Sequence, residues 1–123
     1  MKAIVDEAGA LRWREVDDVR PGPGEAVLRV RAAGVNRADL AQRAGRYPPP
    51  PGASEILGLE AAGEIEVAPE GSGWRPGDRA CALLTGGGYA EKVVVPARML
   101  MPVPKRLDLN EAAAVPEVHL TAF

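Results

Sequence analysis

Glycine and proline interrupt this chain so often that long helices are excluded from the outset. The sequence holds 14 Gly and 12 Pro among 123 residues, about a fifth of the chain where about an eighth is usual. Punctuation at that density suits short strands and tight turns. The breaks are clustered: Arg20-Pro21-Gly22-Pro23-Gly24, Tyr47-Pro48-Pro49-Pro50-Pro51-Gly52, Trp74-Arg75-Pro76-Gly77 and Gly86-Gly87-Gly88.

A hydrophobic fraction of 46% is that of a globular chain, and the length fits one domain. The 15 basic and 17 acidic side chains are scattered, leaving a formal charge of −2. That balance gives no support for a nucleic-acid partner or a membrane surface. One Cys and one His cannot form a disulfide or supply the three or four ligands of a Cys/His zinc site. The opening residues, Met1 to Leu11, have no apolar run of signal-peptide length, and no stretch approaches a membrane span. A cytoplasmic location is the expectation.

Between the breaks, strands are expected at Lys2–Val5, Leu11–Val16, Glu25–Val35, Glu64–Ala68, Arg79–Leu84, Tyr89–Val95 and Met99–Val103. In the third of these, Val27, Arg29 and Arg31 alternate with Leu28, Val30 and Ala32, which predicts one dry and one partly wet face. Asn36 reads as the N-cap of a short helix over Arg37–Arg43, with Asp39 in its first turn. Gly86-Gly87-Gly88 reads as a flexible joint. Asn110 is expected to cap a helix over Glu111–Val115, with Pro116 interrupting before Glu117–Phe123. The fold class is mainly β: a partly open barrel with short helices and a helical C-terminal segment.

The order of motifs resembles a known family. Ala32-Ala33-Gly34-Val35-Asn36-Arg37-Ala38-Asp39, Gly45-Arg46-Tyr47 with its four prolines, Gly58-Leu59-Glu60-Ala61-Ala62-Gly63, Gly77-Asp78-Arg79, Gly86-Gly87-Gly88-Tyr89-Ala90-Glu91 and Glu111-Ala112-Ala113-Ala114-Val115-Pro116-Glu117 are similar to the zinc-free quinone oxidoreductases. These form a branch of the medium-chain dehydrogenase/reductase superfamily, and the p53-inducible quinone reductase-like group is the nearest match. The resemblance implies a GroES-like barrel over residues 1–109 and a connecting helix over 110–123. That helix would lead into a Rossmann domain binding NADPH. It further implies hydride transfer to a small-molecule quinone without a metal, in an enzyme that is a homodimer at full length. No Gly-x-Gly-x-x-Gly follows a strand in this chain, so a pyrophosphate cradle is not encoded here and the chain alone is expected to be inactive.

Three side chains are the candidate site residues: Asn36 and Tyr47 as catalytic groups, with Asn36 and Thr121 as cofactor contacts. Asn36 and Leu59 stand where zinc-using relatives carry a Cys and a His, so no metal ligand is assigned. The Asn36 amide can both donate and accept, toward a ribose hydroxyl or a quinone oxygen, or it can serve only as a helix cap. Tyr47 offers a flat ring and a hydroxyl on a stiff proline arm, or it merely shields the loop. Thr121 matches a position that approaches the nicotinamide carboxamide. Glu60, a carboxylate among Leu59, Ala61 and Ala62, is expected to find a cation or to titrate high. Cys81 reads as an inert core thiol, His119 as a solvent-facing residue, and Trp74 and Leu57 as packing residues. Reduction of an enoyl thioester on the same scaffold is a second enzymatic reading. A non-catalytic barrel used for binding or structure is the reading from another class.

Overall fold

A computed structural model describes residues 1–46 and 48–122. Tyr47 and Phe123 lie outside the described residues. Within them, seven strands and three short α-helices follow in the order β1 (Lys2–Glu7), β2 (Ala10–Glu15), β3 (Glu25–Ala33), α1 (Arg37–Arg43), β4 (Glu60–Val67), β5 (Arg79–Leu83), β6 (Lys92–Pro96), β7 (Leu100–Pro102), α2 (Leu109–Ala112) and α3 (Pro116–Ala122), with one turn of 3-10 helix, Ala97–Met99, between β6 and β7. Strands β1 and β2 form a hairpin, and the others form a five-stranded antiparallel sheet in the order β6-β3-β4-β5-β7. The hairpin is stitched to the sheet at the Ala3–Ala90 bridge, where Ile4 N–H donates to the Tyr89 carbonyl at 2.8 Å. The result is the mainly β, partly open barrel expected of a GroES-like domain.

The core lies in the curl of the sheet. Ala26, Leu28, Ile65, Val93, Val95 and Leu100 are buried together, with Trp74 packed against them. Full burial of Leu28 contributes about 2–3 kcal/mol. A second cluster joins Ala62 and Cys81 to Ala112 and Ala113, so α2 packs on the sheet through small side chains.

Several expectations need correction. Strand β3 ends at Ala33 rather than Val35; its alternation holds from Leu28 to Ala32, with Arg29 and Arg31 exposed, but Val27, expected on the wetter face, is buried. Strand β4 begins at Glu60, four residues earlier than its pattern suggests. Gly63 is not a break there: a Cβ on it would collide with the Arg29 carbonyl of β3, so glycine is what lets the two backbones pair. Strand β6 begins at Lys92; Tyr89 to Glu91 instead bridge to the hairpin and to Leu57. The stretch Gly86-Gly87-Gly88 is a packed crossing, not a flexible joint. A Cβ on Gly58 would lie 2.6 Å from Gly88 Cα, and Gly86 and Gly87 take positive φ beside Ser54. The cap of α2 is Asp108, not Asn110. Its carboxylate accepts from Glu111 N–H at 2.7 Å while Glu111 Oε1 accepts from Asp108 N–H at 3.0 Å. Trp13 is 52% exposed, so the hairpin lies more open than its alternation implies.

Candidate active-site cleft

Helix α1 occupies the expected Arg37–Arg43, with Asn36 as its N-cap and Asp39 in its first turn, as expected. Asn36 and Asp39 form a reciprocal capping box around the first turn. The return contact comes from Asp39, whose Oδ2 accepts the Asn36 backbone N–H at 2.9 Å. The Asn36 carboxamide also donates from Nδ2 to Glu60 Oε1 at 2.9 Å. Asn36 therefore serves the cap and, through its side-chain NH2, holds Glu60.

Glu60 and Asp39 are the two buried charged residues of the core, 3% and 2% exposed. Among the described residues neither forms an ion pair. Glu60 does not find the cation expected of it. Its carboxylate is satisfied by Asn36 Nδ2 on one oxygen and by the backbone N–H of Glu117, at 2.8 Å, on the other. A buried carboxylate without a counter-ion has to be held by donors in this way. Gly34 makes room for it, since a Cβ there would overlap the Glu60 carboxylate. Asp39 Oδ2 also accepts the Tyr89 hydroxyl at 2.6 Å, while Oδ1 is buried without a partner among the described residues.

Burial, and then the hydrogen bond to Asp39, hold the Tyr89 phenol well above its ordinary value of 10.0. Burial, reinforced by the Glu60 charge, likewise pushes the Cys81 thiol up, as a core thiol requires. Both groups stay protonated in the folded chain at pH values where they ionise in the unfolded chain. The unfolded state then binds fewer protons, and stability falls as pH rises above about 10 for Tyr89 and above about 9 for Cys81. The urea midpoint is expected to decline from pH 9 to pH 11. In Tyr89→Phe the decline is shallower, because only the Cys81 part remains. The same change lowers stability at pH 7 by about 1–2 kcal/mol, through the donor lost to Asp39.

Asn36 and Thr121, far apart in the chain, line one cleft of about 420 Å³ with Glu117 and Val118. Helix α3 brings Thr121 there: Pro116 starts the helix, and the bond from Glu117 N–H to Glu60 pins its first turn to β4. His119 is exposed, with Nδ1 3.1 Å from the Val115 carbonyl, so it faces solvent as expected. Leu59 is 9% exposed and Leu57 is 7% exposed, both within the fold. The hydrocarbon side chain of Leu59 has no atom that could ligate a metal. Tyr47 lies outside the described residues. Sequence reasoning missed Asp39, Tyr89 and Glu117 as partners in this network. The Asn-x-x-Asp spacing of a capping box is a legible signal for the first.

A barrel with this order of motifs and this cleft defines a class, and the chain belongs to it: the alcohol dehydrogenase GroES-like domain family matches residues 22–105. Within that class the chain is similar to several curated proteins. It is 40% identical to the synaptic vesicle membrane protein VAT-1 homolog of Mus musculus, over 92% of this chain and 28% of the relative. It is 41% identical to a quinone oxidoreductase of Pseudomonas aeruginosa, over 85% of this chain and 33% of that protein. Among solved structures, the quinone oxidoreductase of Thermus thermophilus, determined alone and with NADPH, superposes with a TM-score of 0.78. It shares 36% identity, over 99% of this chain and 39% of its own. The chain thus spans about a third of the length of these relatives, which include oxidoreductases of the medium-chain dehydrogenase/reductase superfamily.

Proposed function

We propose that this chain is the GroES-like part of a larger NADPH-dependent quinone oxidoreductase that transfers hydride to a quinone without a metal. The observation that carries the reading is the shared cleft of Asn36 and Thr121. Two polar side chains from distant segments, one an amide and one a hydroxyl, meet at an open face. The quinone oxidoreductases among the relatives, one of them solved with NADPH, support the chemistry. Residues 1–109 form the barrel in this proposal, and residues 110–123 lead toward a nucleotide-binding domain.

The residues present fit one end of the cofactor. Among the described residues no glycine-rich strand-to-helix turn cradles a pyrophosphate, whereas the cleft offers hydrogen-bonding groups of the size and polarity that a nicotinamide riboside presents. When bound, NADPH supplies the hydride. Asn36 and Thr121 hold its reactive end in place, and Val118 gives the cleft an apolar wall. Tyr47 offers its ring to the quinone and its hydroxyl to the quinone oxygen. Leu59 and Asn36 leave the site without the ligands a zinc ion would need.

The intact protein that carries this chain is expected to oxidise NADPH with at least one member of a panel of quinones and enones. Asn36→Ala and Tyr47→Phe are each expected to lower kcat/KM about tenfold, the worth of one productive hydrogen bond, and Asn36→Ala is expected to lower Tm as well, because it removes a donor from the buried Glu60 carboxylate. Unchanged rates would overturn both residue assignments. Failure to oxidise NADPH with any quinone would overturn the activity.

A further inference from the structure

Strand β2 is the outer edge of the hairpin, and its far side is open. Met1 and Val16 exchange both backbone bonds, at 3.0 and 2.8 Å. In an antiparallel ladder such pairs recur at every second position. Arg14 and Arg12, opposite Ala3 and Val5, therefore turn their backbone groups toward β1, while Leu11, Trp13 and Glu15 turn theirs away. Strand β1 shows the same parity: Lys2 and Ile4 bond outward, to Glu91 and Tyr89. Among the described residues nothing pairs with the outward backbone groups of β2.

We infer that this edge is a docking site for an extended peptide segment in which apolar and acidic residues alternate, taken up as a further antiparallel strand on β2. Main-chain bonds would supply the pairing, and the two faces of β2 select the side chains. On one face Leu11 and Trp13 are 42% and 52% exposed. Leu11 also lines an apolar groove of about 320 Å³ with Ile4, Val35 and Leu40. An apolar side chain opposite Leu11 has that groove to enter.

The other face carries Arg12 and Arg14. Both guanidiniums lean on a single carboxylate, that of Glu7, which lies 2.7 Å from Arg14 and 3.5 Å from Arg12. One positive charge among the three groups is left unbalanced. Residues of an added strand opposite Arg12 and Arg14 would form the non-hydrogen-bonded pairs of the new ladder, where opposing side chains come closest. A carboxylate at either place completes the ion pairing.

A second copy of this chain fits the backbone but not the side chains. Pairing β2 with β2 about Trp13 would use every outward backbone group, yet it would set Arg12 of each copy directly against Arg14 of the other. Like charges so placed are destabilising, and charge on an edge is a common defence against self-pairing. The edge repels its own kind and accepts an acidic strand.

The test uses the intact protein and short dye-labelled peptides of alternating valine and glutamate, followed by fluorescence anisotropy. The glutamate peptide is expected to bind at least about tenfold more tightly than its lysine counterpart, with the gap narrowing as salt is raised. N-methylation of the valine amides, which face β2, is expected to abolish binding, and N-methylation of the glutamate amides, which face away, is expected to spare it. Trp13→Ala should weaken binding about tenfold, and Arg12→Glu/Arg14→Glu should reverse the preference toward lysine. If circular dichroism shows that the double variant does not fold, Trp13→Ala and the methylated peptides decide. No binding of the glutamate peptide up to about 1 mM would remove the docking site. Indifference to which amides are methylated would exclude strand pairing, and equal affinity for the two peptides would overturn the acidic assignment. Self-association in sedimentation velocity that Trp13→Ala abolishes would make the occupant a second copy and defeat the proposal.

Discussion

Gly63→Ala is expected to destabilise the chain by more than about 3 kcal/mol and to leave little folded protein at 37 °C, as measured by urea unfolding followed by circular dichroism. Gly63 lies in β4 opposite Val30 of β3, and the two strands form the centre of the sheet. A Cβ at this position would fall inside the carbonyl oxygen of Arg29, a backbone atom with nowhere to go. The clash cannot be relieved by a rotamer. It requires β3 and β4 to separate, which disturbs the ladder and the packing of Leu28 and Ile65 together. Gly45→Ala is a suitable control: nothing lies within 4 Å of its Cβ position, and its φ of +76° leaves only backbone strain, about 1 kcal/mol. Equal losses at the two positions would remove the steric account.

Gly34→Ala is expected to have the second largest effect, and to strike the site as well as the fold. The added methyl would occupy the space of the Glu60 carboxylate. Displacing that group removes its bonds to Asn36 Nδ2 and to Glu117 N–H at once. A buried charge stripped of its donors costs about 3–5 kcal/mol, part of which the chain recovers by moving the side chain toward solvent. Thermal unfolding measures the loss. In the intact protein NADPH-dependent turnover should fall further than Asn36→Ala lowers it, because α3 loses its anchor too. The combination Gly34→Ala/Glu60→Ala relieves the overlap, so its Tm should exceed that of Gly34→Ala alone. A double variant no more stable than the single one would show that the methyl group disturbs something other than Glu60.

These two glycines mark where local pattern stops being a guide. Strand β3, helix α1 and the turn-rich connections follow from alternation, from the Asn36 N-cap position and from the Gly/Pro clusters. In each case the information is carried by residues within a few positions of one another. The pattern of β4 points to a start at Glu64 because Glu60 and Gly63 look like interruptions. In the fold both are required, Gly63 by the approach of β3 and Glu60 by donors from α3 and from the loop before α1. The cap of α2 differs from expectation for a simpler reason: Asp108 and Glu111 have capping-box spacing, and Asn110 lies inside the helix they enclose. Tyr89 carries no local signal, because its partner Asp39 is fifty positions away.

For the candidate site the division is similar. The residue types at 36, 47, 59, 60 and 121 are legible in the chain, together with the chemistry each can and cannot perform. A leucine cannot ligate a metal, and an amide can turn either way. The composition already excluded a cysteine–histidine zinc site and a disulfide, and the density of Gly and Pro already excluded long helices. Only the tertiary structure decided that Glu60 pairs with an amide and a backbone N–H instead of a cation, and that Asn36 and Thr121 share a cleft. Hydrogen-bond polarity belongs to pairs of groups, and these partners are brought together by sheet pairing and helix docking, which no window of neighbouring residues contains.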